Sequence, residues 1–232
     1  MKDIANPGLT EQESADIAEM HKIIRGSNIS PEGQEFVLRV QERETRRAAI
    51  DTLSGLYNTR VLHAGLSGSY EGAERRSRQE GYAIACIDID DFNNINNTYG
   101  HPVGDEIISL LGGMIMAITR HDDIPTRAGG DEFVILMPKT AYKGALKVGE
   151  RIREDMIYRS FNLTAEKRGK LLEDGATDAD VARLARLERV TVSCGVAYTS
   201  SPMGVQDLYG KADEVLYAAK AAGKNRVLGI EI

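Results

Sequence analysis

Apolar and polar positions follow two different rhythms along this chain. Near the N-terminus, Thr10 and Glu13 form a capping-box pair, and Ile17, Met20 and Ile24 then recur at helical spacing. Gly26-Ser27-Asn28 interrupts that helix. Ser30 as N-cap and Pro31 at the first helical position open a second one, which runs through Phe36, Val37 and Val40 towards Ile50. Both apolar stripes are narrow, and short helices of this kind bury little by themselves. The pattern predicts an N-terminal helical extension, residues 1–50, that packs on a partner chain or on the rest of the protein.

From Asp51 onward the pattern becomes an alternation of strands and helices, which defines a second unit over residues 51–232. Tyr82 to Ile87 is a continuous apolar run ending in Asp88, Asp90 and Asp91. Such a run predicts a strand buried on both faces that delivers acidic residues at one end. His101 to Arg120 reads as a long apolar-rich helix. Ile124 to Arg127 and Phe133 to Met137 flank Gly129-Gly130 as a hairpin. A helix is predicted from Tyr142 to about Tyr158, a strand from Val190 to Tyr198, and a helix from Val205 to Ala222 closed by Gly223. Arg226 to Ile230 is a last short strand. Between Ser160 and Glu188 the chain is charged, with helical propensity at Asp180 to Arg189 and few apolar anchors, so it reads as an insertion that leaves the domain.

Composition narrows the class. Of 232 residues, 42% are hydrophobic and 28% charged, a balance that builds a globular core and excludes a disordered chain. The longest apolar runs fall well short of the roughly 18 residues of a membrane span, so no span is expected. Met1-Lys2-Asp3-Ile4 lacks the apolar core of a signal peptide. Cys86 and Cys194 stand singly inside apolar stretches and read as buried free thiols in a reduced, cytoplasmic setting. The net charge of −6 disfavours coating of nucleic acid but leaves small phosphate ligands open.

Candidate chemistry starts from carboxylates. Asp88 lies where the buried strand ends, and Asp131 and Glu132 lie in the glycine-bearing turn. If those strands are neighbours, the three carboxylates meet at one rim, where their repulsion raises their pKa values unless cations hold them together. Hard oxygen ligands of this kind suit Mg²⁺, which takes one or two carboxylates plus substrate phosphates. Without Cβ atoms, Gly129 and Gly130 let a phosphate approach the backbone. On spacing alone a plainer reading stays open: Asp91 caps a short helix and Asp131 decorates a hairpin tip.

A resemblance bears on that choice. Ala128-Gly129-Gly130-Asp131-Glu132-Phe133 is similar to the signature of the GGDEF family of diguanylate cyclases. Asp51-Thr52-Leu53-Ser54-Gly55-Leu56-Tyr57-Asn58 resembles the family's opening motif. The segment from Asp88 through Phe92 to His101, followed by Gly104-Asp105, resembles its metal- and base-binding segment. Asp213 to Lys220 and Gly223-Lys224-Asn225 resemble its closing motif. Four motifs in family order cover Asp51 to about Ile230.

The resemblance implies an α/β (α+β) fold like the nucleotidyl-cyclase palm: a central, mainly antiparallel sheet wrapped by helices, with the signature on a hairpin. It implies condensation of two GTP into cyclic di-GMP and two pyrophosphates by a homodimer, since each half-site holds one GTP. By the same resemblance Asp88, Asp131 and the backbone carbonyl of Ile89 ligate two Mg²⁺ per active site, with Mn²⁺ able to substitute. Asp131 or Glu132 assists deprotonation of the attacking 3′-hydroxyl.

Guanine presents adjacent N1–H and N2–H₂ donors to a carboxylate, whereas adenine presents an acceptor at N1. The matching family position is Asp105, with Asn96 as a second base contact; complementing a helix dipole is the alternative for Asp105. Lys220 and Lys224, four apart at a helix end, can reach one phosphate tail or merely suit a helix C-terminus. Phe92, Asn93, Gly129 and Gly130 complete the implied GTP contacts. The chain departs from the family where Lys224 replaces a usual Arg, Asn93 a frequent Lys, and Asn97 a common Asp.

Arg120-His121-Asp122-Asp123 ends shortly before the signature and resembles the family's inhibitory RxxD site for cyclic di-GMP, with Arg151 as a secondary contact. Arg pairs with guanine O6 and N7, and Asp with its N1 and N2 donors; a plain surface pair is the alternative. The expected activity is therefore a product-inhibited diguanylate cyclase. The competing expectation is a receptor for GTP or cyclic di-GMP without turnover, motivated by Asn93, Lys224 and the insertion.

Overall fold

The computed structural model describes residues 49–66, 81–158, 190–201 and 203–232, with residues 169, 172–173, 175 and 177–184 of the segment between. The two helices expected from Thr10 towards Ile50 lie outside the described residues as far as residue 48, as does most of the charged insertion, and Ile50 itself forms a β-bridge with Tyr57.

The apolar alternation of residues 51–232 folds into one five-stranded sheet in the order β2-β3-β1-β4-β5, with β1 Tyr82–Ile89, β2 Ile124–Gly129, β3 Glu132–Pro138, β4 Val192–Thr199 and β5 Val227–Glu231. β1 runs antiparallel to both neighbours, β3 and β4, and only the β4–β5 pair is parallel. The helices are α1 Thr59–Leu66, α2 Phe92–Tyr99, α3 His101–Ile118, α4 Tyr142–Tyr158, α5 Asp178–Leu184 and α6 Val205–Ala221. The mainly antiparallel sheet wrapped by helices is the architecture expected from the sequence.

Alternate residues of the central strands face two separate cores. Ala83, Ala85, Ile87 and Ile89 of β1 join Val192, Cys194 and Val196 of β4 under α3 and α4, with Ile107, Leu111, Ile115 and Ile152. Ile84 and Cys86 face the other way, towards Leu208, Ala212 and Leu216 of α6 and Val61 and Leu62 of α1. Burial on both faces is why β1 and β4 read as unbroken apolar runs. Cys86 and Cys194 are both buried free thiols, on opposite faces of the sheet.

Among the described residues α3 alone is long and apolar enough, by length and composition, to cross a membrane, although no span was expected from the sequence. Its apolar stripe, Val103, Ile107, Leu111 and Ile115, is buried in the core, whereas Asp105 and Ser109 face solvent. This is the amphipathic pattern of a helix packed on a sheet.

Helix α6 closes as Gly223 predicts. The Gly223 amide donates to the Lys220 carbonyl and the Lys224 amide to the Ala219 carbonyl, both at 3.2 Å, with Gly223 at φ 112°. That pattern is a Schellman motif with glycine at its left-handed position. Helix α5 rests against α2 and α3, and its Val181 is buried in the core. At this point the charged stretch expected to leave the domain packs against it.

Candidate active site

One rim of the sheet collects the predicted carboxylates. β1 ends at Ile89, β3 begins at Glu132, and β1 pairs Asp88 with Glu132 on one side and with Ser193 on the other. The Ile89 amide approaches the Asp131 carbonyl at 3.4 Å, which sets the hairpin turn beside the strand end. Asp88 has the same parity as Ile84 and Cys86, so its side chain emerges on the face covered by α6. Lys220, in the last turn of α6, reaches it with Nζ at 2.7 Å from Oδ2.

Burial and, after it, the charges of Asp131 and Glu132 push the Asp88 carboxyl up while Lys220 pulls it down, and the balance leaves it raised to about 6. The repulsion expected from the sequence is present, but desolvation outweighs it. Lys220 supplies the positive charge that such a rim requires.

The hairpin itself is held from the opening motif. Asp51 accepts from the Ser54 amide at 2.8 Å and from the Ser54 hydroxyl at 2.7 Å, and both its oxygens face Arg127 Nη1 at 3.2 Å. Arg127 in turn donates from Nε and Nη2 to the Gly130 carbonyl at 2.9 and 2.8 Å. Gly130 sits at φ 51°, a left-handed conformation that glycine adopts freely. The carbonyl of the turn is thereby fixed by a guanidinium whose other side is anchored 76 positions upstream.

Downstream of Asp88 the remaining candidates lie along one continuous piece of chain. Asp91 stands at the N-cap of α2 at φ 57°, with no capping bond from its side chain. Its carboxylate instead meets Lys224 Nζ at 2.5 Å. Asn93 is exposed on α2, and Phe92 is buried in the core. Asn96 turns its amide towards the first turn of α3, where a Cβ on Gly104 would lie 2.0 Å from Asn96 Oδ1. That oxygen is buried and has no hydrogen-bond partner. An orphaned buried acceptor is costly unless a ligand donor reaches it. Asp105, exposed, follows Gly104 directly.

Arg120 and Asp123 share one turn after α3. The Arg120 main-chain nitrogen donates to Asp123 Oδ2 at 2.7 Å, and the Asp123 amide donates back to the Arg120 carbonyl at 3.1 Å. Asp123 is buried, which raises its carboxyl above the usual range, while Arg120 opposes the rise. The Arg120 side chain is exposed, and so is Arg151 on α4. No hydrogen bond or ion pair joins Arg151 to that turn among the described residues.

A protein-family model described as the diguanylate cyclase GGDEF domain matches residues 48–174. The chain belongs to the GGDEF family. It is 34% identical over 185 residues to the response regulator PleD of Caulobacter vibrioides, covering 78% of this chain and 36% of that protein. It is 31% identical over 191 residues to the diguanylate cyclase DgcM of Escherichia coli, covering 82% of this chain and 40% of that protein. The chain thus spans well under half the length of these curated relatives. Among solved structures, the GGDEF domain of DgcB from Caulobacter crescentus in complex with c-di-GMP aligns with a TM-score of 0.64 at 27% identity, covering 78% of this chain and 93% of that one. The coiled coil and GGDEF domain of the same protein align with a TM-score of 0.70 at 24% identity, over 94% of this chain and 98% of that one.

Within the GGDEF domain two residue groups carry weight that the sequence did not single out. Asp51 and Arg127 are one: a contact between separate motifs leaves no local signal. Asp90 is the other. Its Asp-x-Asp spacing with Asp88 at a strand end was visible, but its partners were not.

Proposed function

We propose that this chain is a diguanylate cyclase domain that condenses two GTP into cyclic di-GMP and two pyrophosphates. Two copies face each other, each presenting one nucleotide. The 3′-hydroxyl of each GTP attacks the α-phosphate of the other; its proton leaves, and pyrophosphate departs as the leaving group. The observation that carries this reading is the rim where buried Asp88 meets the Asp131-Glu132 turn, with Lys220 on its carboxylate.

The donor set fits Mg²⁺. Asp88 is a buried carboxylate beside the Asp131-Glu132 turn, and its salt bridge to Lys220 is one that a cation at the same rim can replace. Two carboxylates plus nucleotide phosphates are the coordination that Mg²⁺ favours. Asp88, Asp131 and the Ile89 carbonyl would hold two ions per site, and Mn²⁺ suits the same oxygens. Bound there, the ions polarise the α-phosphate and lower the pKa of the attacking hydroxyl.

The chain's own residues do the rest. Asp131 or Glu132 receives the hydroxyl proton. Asn96 and Asp105 accept from the guanine edge, which excludes adenine. Lys220 and Lys224 exchange their carboxylate partners for the triphosphate, and the backbone at Gly129 and Gly130 leaves room for it. Arg127 keeps the turn in place. The turn carrying Arg120 and Asp123, with Arg151, binds the product and slows the enzyme. The N-terminal extension, residues 1–50, sets the dimer geometry. A GTP-consuming reaction places the domain in the cytoplasm, and nucleic acid is not a partner.

Incubation of the purified protein with GTP and Mg²⁺, with nucleotides separated and identified by mass, tests this. Cyclic di-GMP that appears and then stalls before GTP is exhausted is the expected result. GTP left intact by an enforced dimer contradicts turnover and favours the receptor reading.

A further inference from the structure

We infer that Asp90 is a positioning residue that aims Lys224 at a diphosphate or triphosphate group. The inference rests on the nucleotide reading above and extends it to a residue that contacts no substrate.

Asp90 is a buried carboxylate, 5% exposed, at the point where β1 turns towards α2. Three donors from two separate pieces of chain converge on it. Thr191 Oγ1 donates to Oδ2 at 2.6 Å, Ser193 Oγ to Oδ1 at 2.7 Å, and the Asn225 main-chain nitrogen to Oδ2 at 2.9 Å. The Asp90 amide also donates to the Thr191 carbonyl at 2.9 Å. No cation pairs with this carboxylate among the described residues; neutral donors alone satisfy it. A side chain that only accepts suits such a site, because the NH₂ of asparagine would face donors on one side.

The bond to Asn225 matters most. Lys224 and Asn225 are consecutive non-glycine residues in left-handed conformation, at φ 61° and 47°. Such conformations persist only where the surroundings over-determine them, and they cluster at ligand-binding sites. The Asn225 amide is anchored on Asp90, its Oδ1 accepts from Arg153 Nη1 at 3.3 Å, and the Lys224 carbonyl accepts from Arg226 Nε at 3.0 Å. The backbone under Lys224 is thus fixed from three sides, while its Nζ rests on exposed Asp91, a partner that a phosphate can replace. Asp90 and Asp91 hold the same turn, one by its backbone and the other by its side chain.

The test uses inorganic pyrophosphate with Mg²⁺ as the probe, titrated calorimetrically into the whole chain. Asp90→Asn weakens pyrophosphate binding about tenfold, whereas Thr191→Val, which removes another bond to the same carboxylate, changes it less than about twofold. In a Lys224→Met background the Asp90→Asn effect disappears, the non-additivity expected of residues that act through one another. Equal weakening by Thr191→Val, or an undiminished effect without Lys224, would make Asp90 a stability residue only and overturn the inference. If Asp90→Asn does not fold, amide exchange in the unaltered protein decides. An Asn225 amide protected like those of β4 supports the tether, and an unprotected one overturns it. GTP titrated alongside separates the two readings. Pyrophosphate binding without GTP binding contradicts the nucleotide reading and leaves Asp90 judged on pyrophosphate alone. Binding of neither overturns both.

Discussion

Gly195 of β4 lies so close beneath α6 that a Cβ on it would come within 2.2 Å of the Leu216 main-chain nitrogen and 2.3 Å of the Ala212 carbonyl oxygen. This contact sets how closely the helix approaches the sheet. Lys220 is one turn beyond Leu216, and Asp88 is two residues beyond Cys86, the β1 partner of Gly195. The missing side chain on β4 therefore brings the α6 cation to the β1 carboxylate.

Gly195→Ala should accordingly act twice. The backbone atoms cannot yield locally, so α6 must lift, at a stability cost of about 1–3 kcal/mol. Lys220 then withdraws from Asp88, and turnover falls at temperatures where the variant is still folded. Thermal unfolding together with initial rates checks this; a variant with lowered stability and an unchanged rate would separate helix packing from the site.

Asp88 predicts a pH dependence. Its folded-state value is raised from 3.8 to about 6, so between those values the folded chain holds its proton more firmly than the unfolded chain does. The group's contribution to stability therefore declines as pH rises through that window, and above about 6 its cost is fully present. Binding of a divalent cation needs the ionised carboxylate, so affinity should fall as pH drops below about 6, by up to about tenfold per unit for a single proton. Titration of Mn²⁺ against pH, with Asp88→Asn as the reference, measures the slope. A pH-independent affinity contradicts the assignment of Asp88 as a ligand.

Gly104→Ala should strike guanine binding. The added methyl would lie on Asn96 Oδ1, so the Asn96 amide must leave its place against the first turn of α3. GTP affinity is expected to fall about tenfold or more while pyrophosphate affinity holds, since only the base contacts move. An equal loss of both ligands would show that the change spreads beyond the base site.

Arg120→Ala isolates the proposed product site. Asp123 is bonded to the main-chain nitrogen of Arg120 and not to its guanidinium, so the turn survives the truncation. Inhibition by cyclic di-GMP should weaken about tenfold or more, with the uninhibited rate unchanged. The inhibition curve is the measurement, and an unaltered curve reduces Arg120 to a surface residue.

Much of this fold was legible because its central strands are apolar on both faces. Tyr82 to Ile87 and Val190 to Tyr198 read as strands, which the structure places at Tyr82–Ile89 and Val192–Thr199, and Gly129-Gly130 and Gly223 marked a hairpin and a helix end through their backbone conformations. Helix α1 was not anticipated. Helix α2 appeared only as the alternative in which Asp91 caps a helix, because Phe92 and Ile95 are its only buried residues. The structure places Asp91 at that N-cap but gives its carboxylate to Lys224 instead. The supports of the site were not legible: Arg127 meets Asp51 across 76 positions and Asn225 meets Asp90 across 135, and no local pattern encodes a partner that far away.

The central claim is that carboxylates at the β1–β3 rim carry out the condensation. The rate of cyclic di-GMP formation from GTP and Mg²⁺ by Asp131→Asn, compared with the unaltered chain, tests it most directly. A folded variant whose rate falls at least about a hundredfold is the predicted result. An undiminished rate would remove Asp131 from the chemistry and contradict the account.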